Sequence, residues 1–225
     1  VWQWEEFPDG IRFSLYSPDG EGGFPGNIRV ITDYRFNEDN ELSVRHYAET
    51  DCATYINMTN HAYFNLCGKG KKITQHRLHI PADRILDTTP AFIPTGKRMN
   101  VKNTPFDFTS LKPIGTDLYA DHEQLLWNKG YNHCYILKDE ISVEMLEAAS
   151  LYEPVTGRKM TVMTDLPAVL LYTAGYYERP DTAVCLETQF YPDTPSHSDF
   201  PSCLVLPEKA YEHCTLFHFQ VQKEE

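Results

Sequence analysis

Hydrophobic and polar residues alternate along much of this sequence. Ile11, Phe13 and Leu15 are separated by polar residues, and the same period of two recurs over 42–48 and 217–221. This alternation is typical of strands that bury one face and expose the other. Glycine, proline and asparagine interrupt these runs at short intervals, as turns do. The pattern therefore predicts an all-β fold, an antiparallel sandwich or a barrel-like arrangement.

Two segments have a different character. The stretch 119–129 predicts a short helix with Leu125, Leu126 and Trp127 on its apolar side. The stretch 144–150 is rich in Glu, Leu and Ala, which favour helices by intrinsic propensity. A turn and a second apolar stretch follow it, so we interpret it as one strand of a hairpin. With no linker or repeat evident, we expect residues 1–225 to form a single domain.

Charge and cysteine content narrow the functional classes. The 225 residues carry a formal net charge of −12, and the basic cluster we find is the short group Lys69, Lys71 and Lys72. Nucleic acids and anionic membranes are bound through extended basic surfaces, so we expect neither as a partner. The six cysteines lack metal-binding spacing, and several adjoin apolar residues. We expect free thiols in a cytoplasmic protein.

A first candidate segment surrounds His61, where polar and aromatic residues interleave. In an extended chain His61 and Tyr63 lie on one face, and Asn60, Ala62 and Phe64 lie on the other. A histidine beside a tyrosine suits sugar recognition, because the imidazole exchanges protons and the phenol ring packs on C–H groups. From the residues alone, a hydrogen-bonded core histidine is the favoured alternative.

A second candidate segment is the apolar strand 184–190, in which Glu187 and Gln189 share a face. A carboxylate within an apolar strand is unfavourable unless it is paired or functional. Burial also raises the pKa of such a group toward the range that a general base needs. The alternative is a glutamate on the solvent-exposed face of a half-buried strand, and the sequence leaves both readings open.

Taken in order, the motifs of this chain resemble those of the aldose 1-epimerase (galactose mutarotase) family. The resemblance covers nearly the whole chain and rests on seven segments, namely SPDGEGGFPGN (17–27), INMTNHAYFNLCG (56–68), ILDTTPAFIPTGK (85–97), TPFDF (104–108), GYNHCYIL (130–137), TGRKMTVMTDLPAVLLYTAG (156–175) and CLETQFYPDTPSHSDFPSCLVLPEKAY (185–211).

The resemblance implies a large antiparallel β-sandwich that interconverts the α and β anomers of hexoses such as galactose and glucose without a cofactor or metal. It implies that His61 is the general acid and Glu187 the general base. Tyr63, Asn132 and Leu170 fall at substrate-binding positions, but many family members have Asp at position 132 and Gln at position 170. A small aldohexose is the expected substrate, and a homodimer is a possible assembly.

The resemblance also implies that the family's N-terminal third lies outside this sequence. We therefore expect the chain to be N-terminally incomplete relative to that family. Together with the changes at Asn132 and Leu170, this leaves two alternatives to a hexose mutarotase. One is a related epimerase for another sugar, and the other is a catalytically weakened sugar-binding or regulatory protein of the same fold.

Overall fold

The computed structural model describes residues 1–68, 70–141 and 143–222, so Lys69 of the lysine cluster lies outside the described residues. Within these described residues there are sixteen strands, namely β1 (Gln3–Phe7), β2 (Gly10–Ser17), β3 (Ile28–Phe36), β4 (Glu41–Thr50), β5 (Thr54–Tyr55), β6 (Arg77–His79), β7 (Arg84–Thr88), β8 (Pro94–Asn100), β9 (Lys112–Pro113), β10 (Asn132–Ile136), β11 (Leu146–Glu153), β12 (Arg158–Thr164), β13 (Ala168–Tyr172), β14 (Cys185–Gln189), β15 (Leu204–Val205) and β16 (Tyr211–Val221).

These strands form antiparallel sheets. The larger sheet has nine strands in the order β1-β2-β3-β4-β16-β12-β11-β6-β9, and the second has five in the order β14-β13-β10-β7-β8. The short strands β5 and β15 pair with each other. Leu171 and Leu186 of the five-stranded sheet share a buried cluster with Val162 and Phe217 of the nine-stranded sheet. The fold is therefore all-β, a large antiparallel sandwich with its main core between two sheets.

The alternation in the sequence corresponds to burial in the structure. Along β4, Val44, His46 and Ala48 are buried, whereas Arg45 and Glu49 are exposed. The predicted hairpin is confirmed, because β11 pairs with β12 over most of its length. Residues 146–150 of this stretch thus lie in a strand despite their helical propensity, since tertiary pairing outweighs a weak local preference.

The helix predicted within 119–129 is α1 (Glu123–Asn128). Its predicted apolar side is wrong in one respect, because Leu125 is buried whereas Leu126 is 63% exposed. Successive helical residues point about 100° apart, so three in a row cannot share one face. Among the described residues, no helix has the length and apolar character needed to cross a bilayer.

The prediction that the cysteines are free thiols is confirmed. All six cysteines lie within the described residues and are free thiols. Cys134, Cys185 and Cys203 are buried, whereas Cys52 is exposed.

Candidate functional site

Three neighbouring strands, β10, β13 and β14, present one face that is turned away from the nine-stranded sheet. Residues paired across antiparallel strands point to the same side, so the register defines two adjacent rows on this face. The rows are Asn132–Tyr172–Cys185 and Cys134–Leu170–Glu187. The alternating residues Leu171 and Leu186 point the other way, into the main core. The sheet therefore brings Asn132, Leu170 and Glu187, all singled out from the sequence, onto one face.

Glu187 is buried in this face, with 8% of its side chain exposed. The alternative of a solvent-exposed glutamate is therefore wrong. Burial raises the pKa of the Glu187 carboxyl group, and the nearby His61 opposes this shift through its charge. The structure thus holds a carboxyl group whose proton affinity is increased by its surroundings, as expected for a proton-transferring group.

His61 comes from the connection between β5 and β6, and residues 56–63 of that connection form no strand in the structure. A side chain provides a hydrogen bond to the backbone of this segment in place of strand pairing: the Asn60 side-chain oxygen accepts a hydrogen bond from the Ala62 N–H at 3.2 Å. Phe64 and Val184 exchange two backbone hydrogen bonds of 2.9 Å, which fix the segment beside β14. The expected strand is therefore replaced by an irregular segment with one bridge.

The imidazole of His61 faces the carboxyl group of Glu187. His61 Nε2 lies 3.5 Å from Glu187 Oε1, and half of the His61 side chain is exposed. The sequence reading that favoured a core histidine is wrong, because His61 is on the surface of the site. The structure thus pairs a solvent-accessible imidazole with a buried carboxyl group, a combination that can give and take protons.

Tyrosines surround this pair. The rings of His61 and Tyr63 stack with centroids 5.0 Å apart and planes inclined by 26°. Tyr172 contacts both rings edge-on, at 6.1 Å and 6.4 Å. Tyr177 lies 5.6 Å from Tyr63. Tyr63 and Tyr177 are about half exposed, so they offer open aromatic faces to a ligand.

Sequence reasoning did not single out Tyr172 or Cys185. Both could have been found from the strand period, because Tyr172 is two residues beyond Leu170 and Cys185 is two residues before Glu187. Burial raises the pKa of the Cys185 thiol, which favours its protonated, weakly nucleophilic form. Tyr177 lies in the loop between β13 and β14, where strand periodicity carries no information.

Asn132 and Leu170 are both half-buried on this face. Leu170 lies directly across from Glu187 in the β13–β14 register. Its side chain offers no hydrogen-bonding group, and the Asn132 amide is uncharged. The face is therefore less polar beside Glu187 than a glutamine at position 170 would make it.

The fold and the site together define a class of protein: an all-β sandwich that holds a candidate acid–base pair, Glu187 and His61, at one face of a sheet. The aldose 1-epimerase family model matches residues 1–218. The chain belongs to the aldose 1-epimerase family, as the sequence motifs indicated.

Similar proteins agree with this assignment. The chain is 34% identical to galactose mutarotase of Rattus norvegicus over 98% of its own length and 66% of the relative's. It is 32% identical to aldose 1-epimerase of Escherichia coli, over 93% of this chain and 63% of that protein. The chain thus spans slightly less than two thirds of the curated relatives it matches.

Solved structures give the same fold. The crystal structure of galactose 1-epimerase from Lactobacillus acidophilus matches 98% of this chain and 67% of its own, with a TM-score of 0.85 and 26% identity. An aldose epimerase homologue from C. elegans covers 98% of this chain and 68% of its own, also with a TM-score of 0.85, at 24% identity.

Proposed function

We propose that this protein interconverts the α and β anomers of an aldohexose, with galactose and glucose as the first substrates to test. The observation that carries the proposal is the pairing of the buried Glu187 carboxyl group with the exposed His61 imidazole at 3.5 Å. Anomer interconversion needs one group that takes a proton and one that gives a proton at the same time. Membership of the aldose 1-epimerase family supports the same reaction.

In the proposed mechanism, the Glu187 carboxylate removes the proton from the anomeric hydroxyl group. Protonated His61 donates a proton to the ring oxygen as the C1–O5 bond breaks, which gives the open-chain aldehyde. Rotation about the C1–C2 bond exposes the other carbonyl face. Closure then reverses both proton transfers, so both side chains return to their starting protonation states. The two sugar oxygens share carbon C1, so the acid and the base must lie close together.

The surrounding groups support a sugar as the ligand. Tyr63 exposes an aromatic face beside His61, and sugar rings pack their C–H groups on such faces. Burial raises the pKa of the Tyr63 phenol, with smaller contributions from Cys185, Tyr172 and Glu187. The phenol is thereby kept neutral, with an O–H available to donate to a sugar oxygen. Asn132 contributes an amide for hydroxyl groups on the same sheet face.

The test is polarimetry of α-D-glucose and α-D-galactose with the wild-type protein and the variant Glu187→Gln. Loss of the base should reduce the enzymatic rate by about 10²–10⁴ while the circular dichroism spectrum is retained. Glu147→Gln is a matched control, because Glu147 forms another carboxylate–histidine pair, 3.3 Å from His79. A Glu187→Gln variant as active as Glu147→Gln would refute the assignment of the base.

A second candidate function is sugar binding without turnover. Leu170 favours it, because it places an apolar group directly across from Glu187. Calorimetry with galactose beside the polarimetric assay distinguishes the two functions. Galactose binding without rate acceleration supports the binding protein, whereas acceleration supports the enzyme. A different sugar specificity would appear as acceleration for other aldoses alone.

A homodimer and a cytoplasmic location remain predictions from the sequence. Sedimentation equilibrium tests the first, and fractionation of cells that express the protein tests the second.

A further inference from the structure

Three side chains with metal-binding atoms converge in the candidate site. His61 Nε2, Cys185 Sγ and a Glu187 carboxylate oxygen all lie within 4.8 Å of one another. The proposed anomer interconversion uses His61 and Glu187, but it assigns no task to the Cys185 thiol. Cys185 is fully buried, with 0% of the residue exposed, and it lies on the same face of β14 as Glu187. The position of this thiol is therefore not explained by the proposed reaction.

The spacing of these atoms is close to that of a tetrahedral zinc site. Zinc binds histidine nitrogen and carboxylate oxygen at about 2.0–2.2 Å and thiolate sulfur at about 2.3 Å, so two ligands of one tetrahedral ion lie about 3.5 Å apart. The His61–Glu187 separation of 3.5 Å already has this value. The three ligand atoms lie at most 4.8 Å apart, so each pair would have to approach by at most about 1.3 Å to reach the spacing of a zinc site.

The elements that carry the three groups suit such a closure. Cys185 and Glu187 alternate on β14, so the strand holds two donors side by side on one face. His61 approaches from the irregular segment, and half of its side chain is exposed. One nitrogen, one sulfur and one oxygen donor favour zinc over magnesium or calcium, which prefer oxygen alone. Three protein ligands leave a fourth position for water.

We propose that His61, Cys185 and Glu187 form a binding site for Zn²⁺ and that the bound ion inhibits the enzyme. Binding forms a zinc–sulfur bond as the Cys185 thiol releases its proton to solvent. It also engages the His61 nitrogen and the Glu187 carboxylate, so neither can transfer a proton to or from a sugar. The ion is an inhibitor here and takes no part in the sugar reaction. Inhibition rests on the proposed function, whereas zinc binding does not.

Cobalt provides a direct test of the site, because Co²⁺ bound to a thiolate has a charge-transfer absorption that water-bound Co²⁺ lacks. Chelator-treated wild-type protein is titrated with Co²⁺ and then with Zn²⁺ as a competitor. Cys185→Ser tests the proposed thiolate ligand, and Cys52→Ser is the matched control because Cys52 is exposed. His61→Gln removes a ligand at a half-exposed position and serves if Cys185→Ser does not fold.

We expect the wild type and Cys52→Ser to show the thiolate band with one Co²⁺ per chain and to lose it on addition of Zn²⁺. Cys185→Ser should lack the band, and His61→Gln should bind Co²⁺ at least about tenfold more weakly. Absence of the band in the wild type would overturn the proposal. Its persistence in Cys185→Ser, or unchanged affinity in His61→Gln, would do the same.

Polarimetry with and without Zn²⁺ tests the inhibition separately. We expect Zn²⁺ to slow sugar mutarotation by the wild type and by Cys52→Ser, and a chelator to restore the rate. A wild type that binds zinc and remains fully active overturns the inhibitory role. If the wild type binds zinc but never accelerates mutarotation, the metal site stands and the proposed function fails.

Discussion

The ion pair between Arg12 and Asp33 allows a quantitative test of how the nine-stranded sheet is stabilised. The two residues face each other across β2 and β3. Arg12 Nε and Nη2 donate hydrogen bonds of 2.6 Å and 2.8 Å to the two carboxylate oxygens of Asp33. The Asp33 side chain is 5% exposed, whereas the Arg12 side chain is 35% exposed. Replacing Arg12 with Met removes the donors and leaves a buried carboxylate.

Removing one partner from a fully buried ion pair costs about 3–5 kcal/mol. Two features reduce this value for Arg12→Met. Arg12 is partly exposed, so solvent already weakens its interaction with the carboxylate. Arg45 lies across from Asp33 in the other neighbouring strand, β4, so its positive charge still acts on the Asp33 carboxylate in the variant. We therefore expect the free energy of unfolding to fall by about 1–3 kcal/mol.

The effect should depend on pH, because hydrogen bonding to Arg12 lowers the pKa of Asp33 from its ordinary value of 3.8. A lowered pKa in the folded state means that the pair stabilises the protein above the unfolded-state pKa. This stabilisation is lost as the pH falls through the folded-state pKa. The difference between the wild type and Arg12→Met should therefore be largest near neutral pH and small in strong acid.

Urea unfolding at neutral and acidic pH measures these differences. Arg35→Met is the matched control, because Arg35 and Asp9 form a 2.9 Å ion pair in which both side chains are about half exposed. Such pairs contribute about 0–1 kcal/mol. A loss in Arg12→Met no larger than that in Arg35→Met at neutral pH would refute the argument. A loss that is equal at both pH values would refute its electrostatic origin.

Three further predictions concern other features of the chain. Gly26→Ala should lower the free energy of unfolding, measured in urea, by at least about 1 kcal/mol, because φ is +87° and the added Cβ atom would lie 2.7 Å from Thr50 Oγ1. Gly20→Ala is the control, because Gly20 has a similar φ of +80° but open space around it, and it should lower the free energy of unfolding by less. Leu170→Gln should lower the KM for galactose about two- to tenfold in polarimetric kinetics, since it adds one hydrogen-bonding group beside Glu187, and an unchanged KM would contradict this. Phe64→Ala should lower both the stability and the mutarotation rate, because the partly buried Phe64 ring packs against the core beside the backbone bridge that anchors the His61 segment. A normal rate in a destabilised variant would separate the two roles.

Much of the fold could be predicted because strand periodicity is a local property. Alternation along β4 identifies the buried residues Val44 and Ala48 before any pairing is known. The β11–β12 hairpin could be predicted because a turn joins two adjacent strands. Intrinsic propensity was less informative over 144–150, where pairing with β12 and β6 determines the conformation.

The site was predictable only in part, because its distances depend on contacts between segments far apart in the sequence. His61 and Glu187 could be singled out as residue types, but the residues alone did not decide whether each was functional. Their relative burial depends on how the irregular segment packs beside β14. The family motifs indicated that His61 and Glu187 act together, but they did not give the distance between the two side chains.

The structure explains how a buried Glu187 carboxyl group and a half-exposed His61 imidazole come to lie side by side. β14 is the edge strand of its sheet, so one of its sides is not covered by a neighbouring strand of that sheet. The Phe64–Val184 bridge places the irregular segment at this point, directly before β14 begins. Glu187 is thereby buried on an edge strand, while His61 stays half exposed on the segment that covers it. The bridge thus couples the position of the proposed acid to that of the proposed base, because a shift of this segment would change both their separation and the burial of Glu187.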